Sequence, residues 1–405
     1  MRPWQRSFTL LMFAVLSGSG PLSAVEASEL KQQGDAASFS PEKPQEAPVL
    51  NVMKLVDKLK VSRSTPVSIL QLGDSHTAAD LFSGEMRRLF QVQYGEGGIG
   101  FIAATPVPGT RYDQIVLSTI SGQWNLISSR NQYSNEFPFG GYLSLPMTSG
   151  AQVHIGVREP REQRYRISAL YKAASDSSLS AQDGLNHASA ELLATSGHWR
   201  FSPTINNLNL PVDLAITGHQ DVELGGWNVE SQQDTGVTYS ALGVNGATLK
   251  ILDKWQTGWQ ETLRALHPDL LILAYGGNEA FDDALDLGLY QADLSEKLAL
   301  LRRILPDVVL LLIGPADSIK QRSANSCVER QPQKLSQIIQ IQRQAALQAG
   351  ALFWDWQAYM GGACSIEQWQ FEHLAQGDLI HLNGEGYRKS ADGLYRYLQA
   401  RMAGQ

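Results

Sequence analysis

Three short stretches of this 405-residue chain hold residue types that can do chemistry together: Ser75 closing "SILQLGDS", Asn278 closing "AYGGN", and Asp378 and His381 in "GDLIHLNGEGY". Nucleophilic catalysis by a serine needs a base within hydrogen-bond reach and a carboxylate that fixes the tautomer of that base. It also needs N–H donors aimed at the oxyanion that develops. Ser75 is the candidate nucleophile, His381 the base, and Asp378, three residues earlier, the partner of the imidazole Nδ1–H. The side-chain amide of Asn278 and the backbone N–H groups of Gly246 and Ser75 are the candidate oxyanion donors.

Each residue also has a plainer reading. Ser75 can be a helix N-cap, His381 a histidine satisfied by a carbonyl, Asn278 a turn former and Gly246 a helix entry. It is the set, not any member, that points to catalysis. His76, beside the nucleophile, is expected to pack beneath the site or to touch substrate. Asp74 is expected to turn away into backbone amides, because a carboxylate facing the site would oppose an oxyanion. A metallophosphoesterase site would need a histidine after the Asn and a late GHxH, and here Glu279 and "TGHQ" stand instead. No metal or cofactor is expected.

The elements that must carry these residues are legible in the periodicity. "PVSILQLG" is a near-continuous apolar run of strand length, as a strand buried on both faces requires. After residue 235 the same kind of run recurs in "VTYSALG", "DLLILAY", "DVVLLLIG" and "ALFWDW", alternating with helical patterns such as "LKILDKWQTGWQETLRAL" and "LSEKLALLRRIL". Five strands alternating with helices imply right-handed crossovers and a parallel sheet covered on both faces. Ligands of such sheets lie beyond the carboxyl ends of the strands, where Ser75, Gly246 and Asn278 stand. Between about 104 and 235 the pattern changes to short alternating segments ("AQVHIGVRE", "QRYRISALYKA") between Gly, Pro and Asn clusters. That is a β-sandwich-like module inserted between the first two parallel strands. Trp124, Trp199 and Trp227 in it can fill a core or stack on sugar rings.

The formal charge is −7, and it is −8 once Arg2, Arg6 and Glu26 are removed with residues 1–27. That balance has no basic footprint for nucleic acid. Residues 1–27 look like a cleaved export signal, with two arginines ahead of "FTLLMFAVLSGSG" and small-residue sites near Ala24 and Ala27. The apolar run is too short for a membrane span, so a periplasmic mature chain without membrane insertion is expected. Residues 28–48 are a polar, Pro-containing tether. The two cysteines, Cys327 and Cys364, can pair in an oxidising compartment or stay buried and free. Asp282 and Asp283 read as a solvated loop.

"GDSH", a glycine after the second strand, "GGNE" and "DLIH" resemble, in that order, the four blocks of the SGNH (GDSL-like) hydrolase family. The resemblance covers about 50–103 and 236–402, and implies a flavodoxin-like three-layer α/β sandwich. By position it makes Ser75, Asp378 and His381 the triad and Gly246 and Asn278 oxyanion-hole residues. His76 replaces a common Leu, and Glu279 a usual Asp. The export signal and the inserted module make the layout similar to periplasmic peptidoglycan O-acetylesterases, whose insert resembles a carbohydrate-binding module. That likeness implies O-acetylated peptidoglycan or another acetylated glycan as partner, and the C6 O-acetyl of N-acetylmuramic acid as the group removed. An O-acetyltransferase using the same triad, or a non-catalytic glycan-binding protein, are the alternatives. The domain expectation is hydrolase 49–103 and 236–405, with the module at 104–235.

Overall fold

The computed structural model describes residues 49–404, apart from 160, 161, 219, 324 and 325. The expected export signal and tether lie outside these residues.

The apolar runs form a five-stranded parallel sheet: β1 (Pro66–Gly73), β2 (Gly236–Gly243), β3 (Leu270–Ala274), β4 (Val309–Ile313) and β5 (Leu352–Trp354). The strand order is β2-β1-β3-β4-β5, the doubly wound order in which the chain reverses direction beside β1. Alternate side chains go to opposite faces. Leu70, Leu72, Leu271 and Leu273 meet helices Leu287–Ile304 and Leu335–Gln348 on one side. Val67, Ile69, Leu270 and Ile272 meet helices Val52–Lys60, Phe82–Tyr94 and Gly384–Met402 on the other. The result is the expected three-layer sandwich.

Register brings the strand ends level. Gly73 lies opposite Gly243 on one side and Ala274 on the other. The turns that follow all three strands therefore open on one edge. Gly243 has to be glycine for close approach, since a Cβ there would collide with the backbone of Ala78 in the short helix Ser75–Ala78.

The inserted module is two antiparallel sheets around a shared core that includes Val153, Ile155, Tyr165, Ile167 and Leu214. Trp227 is wholly buried, with Nε1 donating to the Ala104 carbonyl at 2.8 Å. Trp199 is buried, with Nε1 donating to Gln256, and Trp124 is half-buried, with Nε1 donating to the Gln152 carbonyl. Gly98–Ile102, expected on the α/β side of the boundary, pairs with Val222–Ser231 of the module. The antiparallel pairing thus begins a few residues before 104.

The stretch expected as one helix, 249–266, is instead a 3-10 turn, Leu249–Lys254, and a separate helix, Trp259–Leu266. The break has a cause. Gln256 N donates to the Phe137 carbonyl and Phe137 N to the Lys254 carbonyl, so the backbone bonds to the module, and Gly258 turns the chain left-handed at φ 98°. Cys327 and Cys364 form a disulfide across a separation of 37 residues.

Candidate active site

The edge above β1 gathers the residues singled out in the sequence. Asp74 caps the helix that begins at Ser75, its carboxylate accepting the His76 N–H at 3.0 Å. That turn presents Ser75 Oγ at the crevice, 2.9 Å from His381 Nε2. His381 comes from a tight turn organised by Asp378. One carboxylate oxygen accepts the backbone N–H groups of Ile380 and His381 at 3.0 and 2.9 Å, and the other meets His381 Nδ1 at 2.7 Å. The intervening Leu379 takes φ 57°, which lets the two side chains face each other across three residues. Burial alone would raise the Asp378 carboxyl, but the hydrogen bonds from the His381 ring and the turn amides hold it below the ordinary value.

On the far side of Ser75, Gly246 and Asn278 line the same pocket. Gly246 has φ 70°. Among the described residues, neither its backbone N–H nor that of Ser75 is donated within the fold. Asn278 Nδ2 donates to the Ala247 carbonyl at 2.9 Å and lies at a longer 3.3 Å from Asp74 Oδ2. Asp74 is therefore not wholly turned into backbone amides, since one of its oxygens faces Asn278. Burial pushes its carboxyl up to about 6, partly offset by the His76 amide.

His76 lines the pocket wall, its Nδ1 bonded to the Tyr387 hydroxyl at 2.9 Å and its ring edge-on to Trp356. Burial, and then the nearby His381, push its pKa down to about 3, so the ring is neutral. Asp80, at the end of "GDSHTAAD", binds Arg87 through two hydrogen bonds of 3.1 Å and also accepts from Ser83 and the Asp113 amide.

Two residues went unmarked as site elements in the sequence. Glu279 is buried, and its two carboxylate oxygens accept Leu249 N at 2.8 Å and Gly276 N at 2.9 Å. It thereby ties the turn after β2 to the turn after β3, and burial pushes its carboxyl up to about 7. Arg130 belongs to the inserted module yet lines the pocket beside Gly246. No local pattern in "SSRNQYS" marks it, because its place depends on how the module docks.

A hydroxyl held on an imidazole, with a carboxylate behind the ring and amides opposite, can carry out acyl transfer through a covalent intermediate. Residues 97–213 match the model of the peptidoglycan O-acetylesterase N-terminal domain, and 218–389 that of the GDSL-like lipase/acylhydrolase family. A solved structure described as a peptidoglycan O-acetylesterase in action superposes with a TM-score of 0.79 at 29% identity, covering 89% of this chain and 98% of that one. A family two carbohydrate esterase from Cellvibrio japonicus (10% identity, TM-score 0.31, covering 71% of this chain and 99% of that one) and an acetyl xylan esterase (16%, 0.33, 41% and 82%) are also similar, far more remotely. No curated protein matches the chain. With both domain models in sequence along one chain and a structural counterpart over 89% of it, this protein joins the N-terminal domain of peptidoglycan O-acetylesterases to a GDSL-like (SGNH) hydrolase domain and is an acetylesterase.

Proposed function

We propose that this acetylesterase is a serine enzyme acting on O-acetylated peptidoglycan, and that it removes the acetyl group from the C6 hydroxyl of N-acetylmuramic acid. The observation that carries the reading is the Ser75–His381–Asp378 relay at the sheet edge. It stands in a chain matched by the peptidoglycan O-acetylesterase N-terminal model.

In this mechanism His381 Nε2 takes the Ser75 proton as Oγ attacks the acetyl carbonyl, and Asp378 holds the ring in the tautomer that makes this possible. The negative charge moves to the carbonyl oxygen, which the Ser75 and Gly246 amides and the Asn278 side chain receive. The long Asn278–Asp74 contact, at 3.3 Å, is the bond most easily exchanged for the oxyanion. His381 then protonates the departing sugar oxygen, and water, activated by the same imidazole, releases acetate and restores Ser75. His76 packs as a neutral wall beneath the relay.

The remaining organisation follows the same proposal. Residues 1–27 direct export to the periplasm, 28–48 tether the domain, and the disulfide suits an oxidising compartment. The module, about 104–235, shapes one side of the cleft.

The test is incubation with O-acetylated peptidoglycan and, separately, with an acetylated polysaccharide foreign to the wall. Free acetate from the first, and much less from the second, is expected. Acetylated acceptor sugar in place of acetate would mean a transferase, and no product from either with an intact p-nitrophenyl acetate activity would sink peptidoglycan as substrate.

A further inference from the structure

Among the described residues, Arg130 is the sole Lys or Arg side chain lining the pocket that holds Ser75 and His381. Its guanidinium lies across Gly246, where a Cβ would stand 2.6 Å from Nη2 and 2.7 Å from Cζ. The backbone beneath it is fixed from both domains. Ser129 N donates to the Gly141 carbonyl at 2.9 Å, and Lys254 Nζ donates to the Ser129 and Arg130 carbonyls at 2.6 and 3.3 Å. Ser128 Oγ accepts the Arg130 N–H. The side chain itself is exposed and, among the described residues, has no carboxylate partner and donates no hydrogen bond.

A guanidinium placed by a braced turn beside a reacting centre, with its fork of donors unused, matches the planar geometry of a carboxylate. We infer that Arg130 is a specificity residue that binds a carboxylate carried by the acetylated substrate, and so selects acetyl esters of acidic sugars over neutral ones. The inference rests on the acetylesterase mechanism above and deepens it. In the proposed substrate the carboxylate has two sources, the lactyl group of a muramic acid that bears no peptide, or the peptide where one is joined to that group by an amide.

The test uses the whole enzyme, with p-nitrophenyl acetate hydrolysis as the readout and sugars as competitive inhibitors, so it does not depend on peptidoglycan being the substrate. The inhibitors are N-acetylmuramic acid, its neutral methylamide, and N-acetylmuramoyl-alanine, whose carboxylate stands one residue further out. For the wild type, one of the two acids is expected to inhibit about ten-fold more tightly than the methylamide, the size of a charge-assisted hydrogen bond. A tighter N-acetylmuramic acid identifies the lactyl group, and a tighter alanine conjugate the peptide. Arg130→Gln should bring the inhibition constants to within about two-fold of each other, and Arg130→Lys should restore part of the difference. Thermal unfolding of each variant reports folding. Equal inhibition by all three in the wild type, or unchanged discrimination in a folded Arg130→Gln, overturns the inference. Discrimination by the wild type, lost in Arg130→Gln, without acetate release from peptidoglycan would instead leave Arg130 standing and remove the proposed substrate.

Discussion

The carboxylate of Glu279 reaches from the turn after β3 to the backbone N–H of Leu249 beyond the turn after β2, at 2.8 Å, while its other oxygen holds Gly276 N. Gly246 and Asn278 are thereby referred to one buried group. Glu279→Ala leaves two N–H groups without their acceptor and is expected to cost about 2 kcal/mol or more of stability in urea unfolding. It should also lower kcat about ten-fold with little change in KM, because a small misplacement of oxyanion donors is felt in the transition state. Glu279→Gln, which keeps one acceptor oxygen, should fall between. A Glu279→Ala enzyme with wild-type kcat would remove this brace from the account.

The two proposed oxyanion positions separate by mechanism. Asn278→Ala deletes a donor and should reduce kcat on p-nitrophenyl acetate by about a hundred-fold with KM little altered, as loss of a single oxyanion donor does. Gly246→Ala adds a Cβ at φ 70° that meets the Arg130 guanidinium. It is expected to lower kcat and at the same time to weaken inhibition by acidic sugars. If Asn278→Ala turns over at the wild-type rate, its amide is a turn former and no more.

His76 makes stability depend on acid. Its ring titrates at about 3 in the fold against an ordinary value of 6.5. Between those values the unfolded chain binds the extra proton, so this group's contribution is complete above pH 6.5 and is lost as the pH falls toward 3. The difference in unfolding free energy between the wild type and His76→Gln should therefore narrow from pH 7 to pH 4. A difference that stays constant over that range would show that His76 titrates normally.

Cys327 and Cys364 close a loop with a sequence separation of 37. Replacing both with serine should lower stability by about 4 kcal/mol through the freed unfolded chain, visible as a drop in Tm, while p-nitrophenyl acetate turnover at low temperature persists, since neither sulfur lines the pocket. An unchanged Tm would mean that the loop is held by its other contacts.

What could be seen in the sequence follows from which forces are local. "SILQLG" and "LLILA" announce buried parallel strands because nothing but apolar side chains fits between two helix layers, and from those strands the edge bearing Ser75, Gly246 and Asn278 follows. Asp378 and His381 were visible because their pairing lies within one turn. The rest depended on docking between domains. The helix expected over 249–266 breaks because Phe137, more than a hundred residues earlier, captures its backbone hydrogen bonds. Arg130 was invisible for the same reason. Glu279 read as a mere exchange for Asp, and its two backbone partners emerge only once the turns after β2 and β3 are brought side by side.

In the proposed mechanism the acetyl group passes through Ser75. The most direct measurement of that step is the intact mass of the protein, with peptide mapping, after rapid acid quenching during turnover of an acetyl ester, alongside acetate release from O-acetylated peptidoglycan by the wild type and Ser75→Ala. One acetyl group on the peptide containing Ser75 is expected in the wild type, and neither adduct nor acetate in a folded Ser75→Ala. Full acetate release by Ser75→Ala would contradict the mechanism.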